Sequence, residues 1–81
     1  MLVSVKHINS TAIRSLSFYY DDEEMDEFGT LIVEYSNGRE YEYADVPMEK
    51  FARLMGAESH GKFVNAEIKP NHSVREMVSL F

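Results

Sequence analysis

Four groups of side chains in this 81-residue chain are of types that bind or react. Tyr41 and Tyr43 lie two residues apart, on one face if the backbone there is extended. Aromatic rings on a sheet face, with cations beside them, stack on unpaired nucleobases. The same rings also serve as a core cover, with their hydroxyls at the rim. Ser59, His60, Lys62 and Asn65 gather around the start of a predicted helix, where free backbone donors beside a lysine would cradle an anion. The competing assignment makes Ser59 a helix cap and Asn65 a partner for nearby backbone. Lys50 and Arg53, continued by Lys62 and Lys69, would form a basic strip across helices, or an ordinary solvated face interleaved with Glu49, Glu58 and Glu67. The fourth group is Asp21, Asp22, Glu23, Glu24, Asp26 and Glu27, an acidic loop that could hold a basic protein partner.

That loop also explains the formal charge of −6. Of fourteen Asp and Glu residues, six lie in the run; the remaining eight equal the eight Lys and Arg, so the rest of the chain is neutral. Phosphate binding is disfavoured beside the loop but not excluded on a distant face. The run lacks the alternating ligands and central glycine of a calcium loop. There is no cysteine, which removes disulfides, thiolate metal sites and thiol chemistry. His7, His60 and His72 have no metal-ligand spacing, and no nucleophile elbow or phosphate-binding glycine loop occurs. The expectation is a non-enzymatic protein with no metal and no cofactor. The opening residues MLVSVKH do not resemble a signal peptide, and no stretch approaches the roughly 18 apolar residues of a membrane span, so a cytoplasmic location is expected.

The elements that must position these groups centre on Thr30 to Tyr43. Leu31, Val33 and Tyr35 alternate with Ile32 and Glu34, and Tyr41 and Tyr43 alternate with Glu40 and Glu42, the period of two of strands. Ser36-Asn37-Gly38 is the turn. A two-residue loop would mix acidic and apolar residues on both faces. A three-residue loop with Gly38 in the left-handed region pairs Val33 with Tyr41 and Leu31 with Tyr43, leaving one apolar face. Ile13 to Tyr20 reads as another strand, with Leu16, Phe18 and Tyr20 on one face. Leu2 to Ile8 fits a short strand or an ordered arm. Pro47 to Met55 reads as an amphipathic helix stopped by Gly56, with Met48, Phe51, Leu54 and Met55 apolar. A second helix runs from a Ser59 cap to Lys69, ended by Pro70. Ser73 and Glu76 form a capping box predicting a last helix, with Val74, Met77, Val78 and Phe81 apolar.

The order Ser10-Thr11-Ala12-Ile13, Leu31-Ile32-Val33, Asn37-Gly38, Tyr41-Glu42-Tyr43, Val46-Pro47 and Ala57-Glu58-Ser59-His60-Gly61-Lys62-Phe63-Val64-Asn65 with Ile68 resembles the KTSC domain family. The resemblance covers about residues 8–71, leaving 72–81 as an extra C-terminal helix on a single domain. It implies an α+β fold, a three-stranded antiparallel β-meander with two or three short helices packed on one face. The family is also found at the C-terminus of some lysyl-tRNA synthetases and in bacterial and phage proteins. Its place there suggests RNA binding, for which the residue types read above offer Tyr41, Tyr43, Lys50, Arg53, Ser59, His60, Lys62 and Asn65. The alternative is a protein-interaction or inhibitor protein using Asp21 to Glu27 or the C-terminal helix, including a homodimer through that helix.

Overall fold

The computed structural model describes residues 2–6, 11–20 and 28–77, with side chains described from residue 11 onward. Four strands come first: β1 (Leu2–Lys6), β2 (Ile13–Tyr19), β3 (Phe28–Tyr35) and β4 (Glu40–Pro47). Helix α1 (Met48–Met55) and helix α2 (His60–Phe63) follow, and α2 runs directly into a π-helical stretch, Val64–Ile68. Strand β5 (Val74–Met77) closes the order. All neighbouring strands are antiparallel, in the spatial order β1-β2-β3-β4-β5.

The central hairpin has the register that its apolar pattern demands. Val33 faces Tyr41, Leu31 faces Tyr43 and Glu34 faces Glu40. Gly38 sits at φ +89°, open to glycine at no steric cost. The Tyr35 N–H donates to the Arg39 carbonyl at 2.8 Å, and the Asn37 side-chain oxygen accepts from the Arg39 N–H at 2.9 Å, which locks the loop.

Strict alternation fails twice, each time at a bulge. Ile13 lies opposite Tyr35 and Ser15 opposite Glu34, so Arg14 is one residue too many, and Ile13 and Leu16, three apart, are both buried. On β4 the pairing steps from Tyr43 to Val46 while β3 steps only from Leu31 to Gly29, and again both members of an i,i+3 pair are buried. Asp45 absorbs that extra residue in the left-handed region, at φ +52°.

One face of the sheet carries the core. Leu16, Phe18, Leu31, Val33, Tyr43 and Val46 meet Phe51 and Leu54 of α1 and Val64 and Ile68 of the π-helical stretch. Phe18 and Phe51 stack with ring centroids 4.5 Å apart. The other face is polar: Ser15 Oγ donates to Glu34 at 3.0 Å, and Arg75 donates to Glu42 at 2.9 Å.

Two expectations are corrected. The sheet has five strands rather than three. The first added strand comes from the stretch that fitted a strand or an arm. The second replaces the predicted C-terminal helix over residues 74–77. A short helix without a core to pack on is marginal, whereas β4 offers a row of unpaired backbone groups along its edge. Pairing Glu40 to Tyr43 with Val74 to Met77 satisfies them, and the Ala44 N–H donates to the Ser73 carbonyl at 3.0 Å. The acidic run of residues 21–27 lies outside the described residues.

Candidate functional site: a tyrosine-lined cleft

At the turn end of the central hairpin, the helical face of the sheet opens into a cleft of about 390 Å³. Tyr35, Asn37, Tyr41, Tyr43, Lys69 and Val74 line it. The register explains the gathering. Tyr35 continues the inward series of Leu31 and Val33, Tyr41 and Tyr43 are the inward series of β4, and Val74 lies opposite Tyr43 on β5. Tyr35 and Tyr41 make an edge-on contact with centroids 5.5 Å apart, and the Tyr35 and Tyr43 hydroxyls are 3.5 Å apart. Burial, and then the neighbouring Tyr35 hydroxyl, push the Tyr43 hydroxyl well above the usual tyrosine range, so it stays neutral.

Lys69 supplies the charge, and helix irregularity puts it there. Its N–H donates to the Val64 carbonyl, five residues back, at 2.9 Å. One residue more per turn rotates everything after it by about 100° relative to an α-helix. The Lys69 ammonium then sits 5.5 Å from the centre of the Tyr35 ring, a cation–π distance. Arg39 is a second cation beside Tyr41: the Tyr41 hydroxyl, and then Glu76, favour its charged form, and Glu76 pairs with it at 3.9 Å.

The other sequence candidates fall elsewhere. Lys50 donates from Nζ to the Glu67 carbonyl at 3.2 Å and lies 3.0 Å from His72 Nε2, so it clamps α1 to the end of the π-helical stretch. Arg53 pairs with Glu49 at 3.7 Å and lies 6.0 Å from the centre of the Phe63 ring. Ser59 Oγ accepts from the Lys62 N–H at 3.2 Å, as a helix cap does. Lys62 and Asn65 are exposed, and the His60 Nδ1 is buried with no hydrogen-bond partner among the described residues. The structure therefore brings Tyr41 and Tyr43 together with Tyr35, Asn37, Lys69 and Val74, and does not bring them to Ser59, His60, Lys62 and Asn65. Tyr35 was findable from its alternation with Val33. Lys69 was among the basic-strip candidates, but its place beside the tyrosines was not readable, because its direction depends on the π-helical turn. Among the described residues no group of three His, Cys, Asp or Glu could hold a metal ion.

Residues 9–72 match the model of the KTSC domain. The chain belongs to the KTSC domain family. Two relatives are 38% identical to it: a protein of Tsukamurella paurometabola over 63 residues, 78% of this chain and 85% of that one, and an uncharacterized protein of Stutzerimonas stutzeri over 65 residues, 80% of this chain and 83% of that one. The crystal structure of a KTSC domain protein from Yersinia pestis superposes with a TM-score of 0.75 at 24% identity, covering 96% of this chain and all of the other. No helix among the described residues is long and apolar enough to cross a membrane.

Proposed function

We propose that this KTSC domain is a non-enzymatic binding module that takes an unpaired nucleotide of single-stranded RNA in the tyrosine-lined cleft. The observation that supports this reading is the convergence of three tyrosine rings with Lys69 on one cleft. The half-buried Tyr35 and Tyr41 rings offer stacking surface to a base, and Lys69 offers charge to its phosphate. A volume of about 390 Å³ is small for a ligand site and accepts one nucleotide rather than a duplex. The acidity of the chain does not oppose this, because six of the acids that produce the charge of −6 sit in one run, at residues 21–27.

The test is fluorescence anisotropy with a short labelled single-stranded oligoribonucleotide and with its duplex. Binding of the single strand should weaken with salt, with a slope of about −0.7 for each phosphate held. Lys69→Glu should weaken it strongly, and Lys62→Glu on the outer helical face should leave it nearly unchanged. Binding insensitive to salt and to Lys69→Glu would overturn the reading. The alternative, a protein partner held by Asp21 to Glu27 or by the end of the chain, would be supported by a nuclease-resistant protein recovered with the tagged domain and lost when the six acids are neutralised.

A further inference from the structure

We infer that His72 is a pH-sensitive joint, which keeps β5 seated against the cleft while its ring is neutral and releases β5 when the ring is protonated. The inference rests on the nucleotide reading above for the ligand that the cleft admits. Tyr35, Asn37, Tyr41 and Tyr43 of the cleft lining belong to the central hairpin, and only Lys69 and Val74 come from outside it. His72 lies between those two in the chain, so a movement at residue 72 moves a wall. The His72 N–H donates to the Ile68 carbonyl at 3.1 Å, and the Ser73 carbonyl accepts from the Ala44 N–H at 3.0 Å. This residue therefore bridges the π-helical stretch and β4. Its ring is held from two more sides: Nε2 lies 3.0 Å from the Lys50 ammonium of α1, and the Ala44 and Asp45 carbonyls of β4 hydrogen-bond to it.

An ammonium only donates, so the nitrogen facing Lys50 is the acceptor of a neutral ring, and the β4 carbonyls face its N–H. A proton on Nε2 removes that acceptor and sets two cations at hydrogen-bond distance. Among the described residues, the charges acting on the ring are Lys50 on α1, which opposes protonation, and the exposed Asp45 carboxylate on β4, which offsets it only in part. The π-helical stretch contributes the Glu67 carbonyl, which accepts from Lys50. The contact yields on its less packed side. Lys50 keeps the Glu67 carbonyl at 3.2 Å, and its helix is seated in the core by Phe51 and Leu54. Residues 73–77 are all exposed, and the pairs of Arg75 with Glu42 and of Glu76 with Arg39 are surface ion pairs, which hold weakly. Release of β5 takes Val74 out of the cleft wall and the Ser73 carbonyl away from Ala44. His72 in the released arm regains its ordinary affinity for a proton, so acid favours release.

The experiment is hydrogen exchange by NMR on the whole chain as pH is lowered through 6.5 and below, with rates corrected for the intrinsic pH dependence of exchange. Ala44 reports the seating of β5, and Val33 in the central strand reports opening of the whole domain. Ala44 should be less protected than Val33 and nearly indifferent to low urea, as in a local opening. Its protection should fall by up to about tenfold per pH unit, the slope of one proton taken up on release. Affinity for a short oligouridylate, whose phosphodiesters and bases do not titrate in this range, should fall along the same curve. In His72→Gln both profiles should be flat. Ala44 protection that stays constant while the His72 ring titrates would overturn the joint, because Lys50 alone would then have moved. Equal protection and equal urea dependence at Ala44 and Val33 would overturn it too, since β5 would leave only when the domain unfolds. The native slope persisting in His72→Gln would exclude His72. The expected Ala44 profile without oligouridylate binding at any pH would support the joint and overturn the nucleotide reading alone.

Discussion

Two backbone positions bear most of the local constraint. A Cβ on Gly29 would fall on the Tyr19 carbonyl oxygen and lie 2.6 Å from the Phe18 ring, which is itself stacked on Phe51. Neither the strand backbone nor that ring can yield without moving α1. Gly29→Ala is therefore expected to destabilise the domain by roughly 1–3 kcal/mol, as overpacking does; a urea midpoint equal to that of the native chain would contradict this. Asp45, in the left-handed region at φ +52°, sits where asparagine and aspartate are tolerated and β-branched residues are not. Asp45→Asn should be close to neutral and Asp45→Val should cost about 1–2 kcal/mol. Denaturant melts of the pair read the bulge directly, because a similar loss in both would mean that charge rather than backbone geometry dominates.

At the scale of elements, Lys50 adds a polar clamp to the apolar packing of α1 on the π-helical stretch. The Lys50 ammonium lies 3.0 Å from His72 Nε2, and the Glu67 carbonyl accepts from both Lys50 and Asn71 Nδ2. Burial first, and then the Lys50 charge, lower the His72 pKa below 6.5, opposed by the Ala44 and Asp45 carbonyls and the Asp45 carboxylate. The unfolded chain thus binds the proton more readily than the folded one, so stability rises with pH across the window between the folded and unfolded values. Stability is expected to fall as pH drops below 6.5 and through the lowered value. His72→Gln keeps an acceptor for Lys50 without titrating, and should flatten that part of the profile. Thermal melts across the range check this, and an equally steep profile in His72→Gln would exclude the clamp as its source.

At the scale of the whole molecule, β5 closes the edge of β4 and completes one wall of the cleft through Val74, yet all four of its residues are exposed. Little apolar area depends on it. A chain ending at His72 is expected to melt cooperatively while the Ala44 amide, deprived of the Ser73 carbonyl, exchanges much faster with solvent. Hydrogen exchange resolves this, and unchanged protection at Ala44 would show that another acceptor takes over. The same truncation should weaken ligand binding in the cleft.

Much of this architecture is written locally, where one residue's neighbours in sequence settle its geometry. The alternation through Leu31, Val33, Tyr41 and Tyr43 with a three-residue turn determined the hairpin register, because any slip would bury Glu34 or Glu42. Phe51 and Leu54 at helical spacing determined the face of α1, and Ser59 its successor's start. The sequence alone also placed Tyr41 and Tyr43 on the helical side. What it left open depended on groups distant along the chain. Val74 to Met77 carry the capping pattern of a helix, but the unpaired edge of β4, more than thirty residues earlier in part, makes them a strand. The i,i+3 burial of Ile13 with Leu16 and of Tyr43 with Val46 contradicts a period of two until the partner strand imposes a bulge. Lys69 reaches the tyrosines only because the helix before it widens against the core through Val64 and Ile68. Backbone hydrogen bonding and burial are satisfied over the whole sheet at once, so only the tertiary structure could turn two predicted tyrosines into a cleft.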